Sequence, residues 1–232
     1  MRKVKAALAA ATAIVAISAS PAMADSPTYV GEGWKIANNY GVYAVSPTQQ
    51  FTITFATQAM KDRYTPYVTT MVSQLNQAGV HVSIGGVETP NYAGCPPKGH
   101  VQWNEWYRPT GNPGESQGMP CYNTADHSLW GGYVLIDTEW WDGSWYLTPY
   151  KKKNLLVHEP MHAFGLDHPN LDLDGDGVVE KFECVKDPIG TTPVMCSPNG
   201  GYQTYDTSGK LTQYDLNGVA ALLNNASILG IN

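Results

Sequence analysis

His158-Glu159-Pro160-Met161-His162-Ala163-Phe164-Gly165-Leu166-Asp167-His168 gathers three imidazoles and a neighbouring carboxylate into one short stretch of the chain. On a helix, residues four apart stand one turn above each other, so His158 and His162 can direct their rings to a single ion. Glu159 points in an adjacent direction, near a water on that ion but outside the ligand set. Gly165 permits a sharp exit from the helix, because it adopts backbone conformations that other residues resist, and the turn brings His168 round as a third ligand. Three protein ligands leave one tetrahedral position for water, the arrangement of a catalytic zinc rather than a structural one.

Moving upstream, Thr148 and Pro149 read as the cap and first turn of the helix that carries this stretch. Before it, Tyr133 to Ile136 form a compact apolar run behind two glycines, which suits a strand. A Gly/Pro/Asn-rich segment ending at Cys121 reads as a loop, and Val101 to Trp106 as a further strand. Phe51, Ile53 and Phe55 alternate with threonines in the pattern of a half-buried strand, and Val80, Val82 and Ile84 alternate again. Between them, Thr65 and Pro66 look like a helix start, with Val68, Met71, Val72 and Leu75 at helical spacing and Gly79 as the stop. Residues 25–50 are rich in Gly, Pro, Asn and Tyr and lack a period; they read as an N-terminal arm or a short pro-segment. Downstream of Gly165 little is apolar until Thr212, which can cap a last helix with Leu216, Val219, Ala220 and Leu223 on one stripe.

Directly after His168 comes Asp172-Leu173-Asp174-Gly175-Asp176-Gly177-Val178-Val179-Glu180-Lys181-Phe182-Glu183, the pattern of a twelve-residue calcium loop. Asp172, Asp174 and Asp176 supply carboxylates, Val178 a backbone carbonyl, Glu180 a ligand through water, and Glu183 two oxygens. The mutual repulsion of these acids is relieved by a divalent cation. No helix pattern precedes Asp172, so the loop is expected to be a structural staple rather than half of a helix pair.

The zinc segment resembles the metzincin zinc endopeptidases, whose pattern is HExxHxxGxxH followed by a methionine-containing turn. All five fixed letters are matched, and Pro193-Val194-Met195-Cys196 is similar to the second element, with Met195 in the place of its methionine. The resemblance implies an α+β, two-lobed single domain over residues 51–232. A mixed sheet with helices would form the upper lobe, about 51–165, and an irregular lower lobe with a C-terminal helix would follow, about 166–232. It also implies peptide-bond hydrolysis with Glu159 as general base, and an edge strand that pairs with the substrate backbone, for which Tyr133 to Asp137 is the matching candidate. Two positions depart from the pattern. Pro160 lies inside the zinc helix, deleting a hydrogen bond and crowding the carbonyl of Leu156 at about 3 kcal/mol in a regular helix. Replacing it with leucine is therefore expected to raise thermal stability without loss of activity. Ser197 stands where some metzincins carry a tyrosine, with Tyr202 and Tyr205 nearby in sequence.

The rest of the chain sets the context. It has 232 residues, 43% of them hydrophobic and 15% charged, with 14 Lys or Arg against 20 Asp or Glu and a formal net charge of -6. This composition excludes a disordered tail or coiled coil, and the acidic balance argues against nucleic acid as a partner. Arg2, Lys3 and Lys5 precede an apolar run from Ala6 to Ile17 and the small residues Ala22-Met23-Ala24, the layout of a secretory signal cleaved after Ala24 and too short to span a membrane. The protein is thus expected to be secreted and extracellular, a monomer acting on protein or peptide substrates, with Zn2+ and Ca2+ as cofactors. In an oxidising compartment Cys95, Cys121, Cys184 and Cys196 favour bridges; three pairings are possible, and sequence nearness favours Cys95 with Cys121 and Cys184 with Cys196. Trp130, Trp140, Trp141 and Trp145 crowd the approach to the zinc helix and read as packing more readily than as an aromatic subsite. Two alternatives stand beside the endopeptidase: a calcium-dependent binding module, since the acidic loop is similar to those of dockerins, and a catalytically silent metzincin-like protein, for which Pro160 is the support.

Overall fold

The computed structural model describes residues 26–91, 94–198, 200–201 and 203–232. The signal segment, residues 1–24, and Tyr202 lie outside the described residues. The architecture mixes helices with a mostly parallel sheet and a small antiparallel one, compatible with the α+β class.

The N-terminal segment contributes three short strands, β1 (Val30–Gly31), β2 (Trp34–Ile36) and β3 (Ala44–Val45). Ile36, Ala37, Val42, Ala44 and Val45 are buried, so the segment from 34 to 45 is woven into the core. β4 (Gln50–Phe55) buries Phe51, Ile53 and Phe55 as the alternation requires, and β5 (His81–Val87) runs parallel to it. The helix between them, α1 (Gln58–Gln77), starts earlier than Thr65: the Thr57 side chain accepts from the Met60 N–H, and Pro66 falls inside the helix. The extra turns bury Tyr64 in line with Val68, Met71 and Leu75, and that apolar burial offsets the proline's missing hydrogen bond. Gly79, at φ +95°, ends the element as expected.

β6 (His100–Trp106) is parallel to β4 on its other side, and β8 (Ser128–Asp137) is parallel to β6. The segment read as a loop before Cys121 instead forms β7 (Gln117–Tyr122), antiparallel to β8. Tyr133 to Asp137 is consequently an internal stretch, paired with β6 on one side and, through Leu135, with β7 on the other; β7 takes the edge in its place. Pro120 is tolerated in β7 because an edge strand needs hydrogen bonds on one side only. Gly118 is there because a Cβ would lie 1.8 Å from the Glu159 carbonyl oxygen, so close packing against the helix that carries Glu159, and not a turn, demands it. The larger sheet has the order β3-β8-β6-β4-β5 with β7 on β8.

After the short α2 (Glu139–Asp142), Thr148 caps α3 (Pro149–Ala163), accepting from the Lys151 N–H. α1 and α3 bury Trp103, Phe55, Leu155, Leu156 and Met161 against the sheet. Trp140 is 2% exposed, and the Trp141 indole N–H donates to the Tyr64 hydroxyl, so both serve packing. Gly165, at φ +93°, turns the chain into β9 (Leu166–Asp167), which pairs antiparallel with β2, itself paired with β1. From His168 to Thr212 the described residues form turns, and the chain closes with α4 (Gln213–Leu229), capped by Thr212 in a reciprocal box with Asp215. Bridges join Cys95 to Cys121 and Cys184 to Cys196, the pairing that sequence nearness favours. Among the described residues no helix is long and apolar enough to cross a membrane.

Candidate metal centre

α3 places His158 and His162 one turn apart, and the Gly165 turn delivers His168 from just beyond β9. The three Nε2 atoms stand 3.1 Å from one another in each of the three pairs. Nitrogens bound to one zinc ion at about 2.0–2.1 Å with tetrahedral angles are about 3.3 to 3.4 Å apart, so the spacing fits such an ion closely. The chemistry of the donors points the same way. His158 Nδ1 lies 2.7 Å from the Val194 carbonyl and His162 Nδ1 lies 2.9 Å from the Leu166 carbonyl. A carbonyl accepts only, so each Nδ1 carries the hydrogen and each Nε2 turns a lone pair toward the centre. Converging lone pairs repel unless a cation sits among them.

The environment keeps these rings neutral. Burial holds His158 well below the ordinary imidazole value, helped by the charge repulsion of His162 and His168, and burial with His168 brings His162 down to about 4. His168 is lowered by burial too. Neutral imidazoles are the form that ligates. Burial acts oppositely on Glu159, pushing its carboxyl up to about 8, with the Gly118 N–H opposing and the charge of Glu115 adding to the rise. Pro160 sits within an unbroken α3, and the Phe164 N–H still reaches its carbonyl at 2.9 Å.

The centre opens into a cleft of about 310 Å³, lined by Glu115 and Ser116, by Gln117 to Pro120 of the edge strand β7, and by Ser197 and Pro198. Met195 is buried in the turn Pro193 to Cys196, whose Val194 carbonyl holds His158. Tyr205 is 74% exposed, beneath the Lys153 ammonium, and does not line the cleft.

Four participants escaped the sequence reading. Asp215, fully buried, accepts from the backbone N–H groups of Val194 (3.0 Å) and Met195 (3.1 Å) as well as from the Thr212 N–H and hydroxyl. Burial pushes its carboxyl up, and these donors pull against that rise. The capping box at Thr212 was the available signal; its second task, bracing the turn behind His158, left none. Asp167 pairs with Lys35 at 2.7 Å and accepts the His168 N–H at 2.8 Å, so the N-terminal segment braces the third ligand. Gly118 lets β7 approach α3, and Tyr40 lines the cleft from the N-terminal segment.

In the acidic loop, Asp172, Asp174 and Glu183 bring carboxylate oxygens within 4.8 Å of one another and can hold a second metal ion. The side chains of Asp176 and Glu180 do not join that group: Asp176 accepts from the Val178 N–H, and the Glu180 N–H donates to Glu183. Val178 is exposed. Asn170 ties the loop to the turn after Met195, donating to the carbonyls of Glu180 and Ser197 and accepting from the Ser197 N–H.

Compared with models of known protein families, the chain matches none, and a search of curated proteins finds no match.

Proposed function

We propose that this chain is a secreted, zinc-dependent endopeptidase of metzincin type. The observation that carries the reading is the triangle of three Nε2 atoms at 3.1 Å, two of them fixed as lone-pair donors by carbonyls behind the rings. His158, His162 and His168 would hold the zinc, which when bound supplies Lewis acidity toward a carbonyl and an acidified water.

The remaining chemistry belongs to the protein. Glu159 lies in the same cleft, 6% exposed, with its proton affinity raised toward neutrality, which suits a group that takes a proton from the attacking water and gives it to the departing amine. Among the described residues β7 pairs with β8 alone, so its other edge offers backbone donors and acceptors to an extended peptide without reading side chains. Asp215, through Val194, and Asp167 keep the ligating rings in place before any substrate arrives. The two disulfides and the acidic loop, which we assign to calcium, order a stretch poor in apolar residues and are compatible with an extracellular setting.

Glu159→Gln tests the proposal. The variant is expected to retain one zinc per chain by elemental analysis while casein and peptide-library cleavage falls by about 10²- to 10⁴-fold. Cleavage within a few-fold of wild type by pure variant protein would refute it.

A further inference from the structure

Among the described residues the cleft lining carries three carboxylates, Glu115, Glu159 and Asp167, and no lysine or arginine. Asp167 is neutralised by Lys35, and Glu159 has its place in proton transfer. Glu115 has neither. It belongs to none of the ion pairs found among the described residues. Its Oε2 is held by the Thr110 hydroxyl and the Asn112 amide, both at 2.9 Å, which orient the carboxylate without cancelling its charge. The residue is exposed and stands two positions before Gln117, where the free edge of β7 begins. A peptide extended along that edge must pass it.

We infer, on the basis of the endopeptidase reading, that Glu115 is a specificity-determining residue that selects substrates with a lysine or arginine close to the scissile bond. An oriented carboxylate on a cleft wall that has no lysine or arginine beside it attracts a basic side chain and repels an acidic one, so both effects widen the same ratio. Its aim is fixed by Thr110 and Asn112, so the preference should be confined to one subsite and not spread along the peptide.

The experiment uses one alanine-based peptide that wild type cleaves, with lysine or glutamate placed in turn at three positions on each side of the cut. At one position the lysine peptide should exceed the glutamate peptide by about tenfold in kcat/KM, the size expected of one ion pair gained plus one like-charge contact avoided. Glu115→Gln should shrink that ratio to about twofold or less, and Glu115→Asp should keep most of it. With wild type alone, the ratio should contract when ionic strength rises from about 0.02 to 0.5 M, because a partly exposed pair is screened. A ratio near unity at every position, or one that neither Glu115→Gln nor salt alters, overturns the role of Glu115 while leaving the peptidase reading intact. No cleavage of any peptide by zinc-loaded wild type strikes down the peptidase reading, and the role of Glu115 with it.

Discussion

Asp215→Asn should weaken the fold and the metal centre together, although the residue touches no ligand. The carboxylate accepts four hydrogen bonds in a fully buried site, two from Val194 and Met195 and two from Thr212. Three of the four donors converge on Oδ2 and the Met195 N–H takes Oδ1, so an asparagine sets its amide against at least one donor and leaves the others on a neutral, weaker acceptor. The buried donor left without a partner costs about 1 to 3 kcal/mol, the weakened bonds add to that and relief of the buried charge returns part of it, so a net loss of about 2 to 4 kcal/mol is expected. For a chain of this length each kcal/mol moves the midpoint by about 2 to 4 °C, placing the drop in Tm between about 4 and 16 °C.

The second readout separates bracing from capping. If Asp215 only capped α4, Thr212→Ala would mimic it, at about 1 kcal/mol and without consequence for the metal. If Asp215 also holds the turn whose Val194 carbonyl orients His158, Asp215→Asn should lower zinc affinity by about 10- to 100-fold while Thr212→Ala leaves it within about threefold. Calorimetric melting of both variants, with competitive zinc titration against a chromophoric chelator, measures both quantities. A melting drop under about 3 °C, or equal zinc affinities in the two variants, would refute the reasoning.

Gly118→Ala should abolish cleavage and weaken zinc binding, since the new Cβ meets the Glu159 carbonyl oxygen at 1.8 Å and forces β7 or α3 to move; unchanged kinetics would show that the sheet edge and the helix pack differently. Metal-free protein should be most stable between about pH 6.5 and 7. His162, lowered to about 4, favours folding increasingly as pH rises from about 4 to 6.5, joined by His158 and His168, whereas Glu159, raised to about 8, favours it less as pH rises from about 4.5 to 8; a chelated sample melted across pH checks this, and a maximum near pH 5 would contradict it. Selective calcium removal should lower Tm and expose the Asp172 to Glu183 loop to proteolysis, read by mass spectrometry; an unmoved Tm would remove the staple role. Pro160→Ala should restore a hydrogen bond to the Leu156 carbonyl and raise Tm by a few degrees with zinc content unchanged; a fall in both would make the proline a fitted part of α3.

What could be read from the chain alone was the chemistry that is local in sequence. His158, Glu159, His162 and His168 depend on one helix and one glycine turn. Thr148 and Thr212 cap their helices with atoms three residues away, and Asp172, Asp174 and Glu183 converge through a single loop. What escaped depends on partners far along the chain. β7 looked like a loop because Gly118 and Pro120 are poor strand formers, yet the first is required by contact with α3 and the second is permitted by the edge. Pro66 looked like a beginning because its cost was visible and the burial of Tyr64 that offsets it was not. Asp215 announced its bond to Thr212 and concealed those to Val194 and Met195, which lie about twenty residues back. The three imidazoles of this candidate centre are thus a short-range property and their rigidity a long-range one, so the variants that best test the assignment lie outside the motif, at Gly118, Lys35 and Asp215. Substitution there leaves all three histidines in the chain and changes only how firmly they are held.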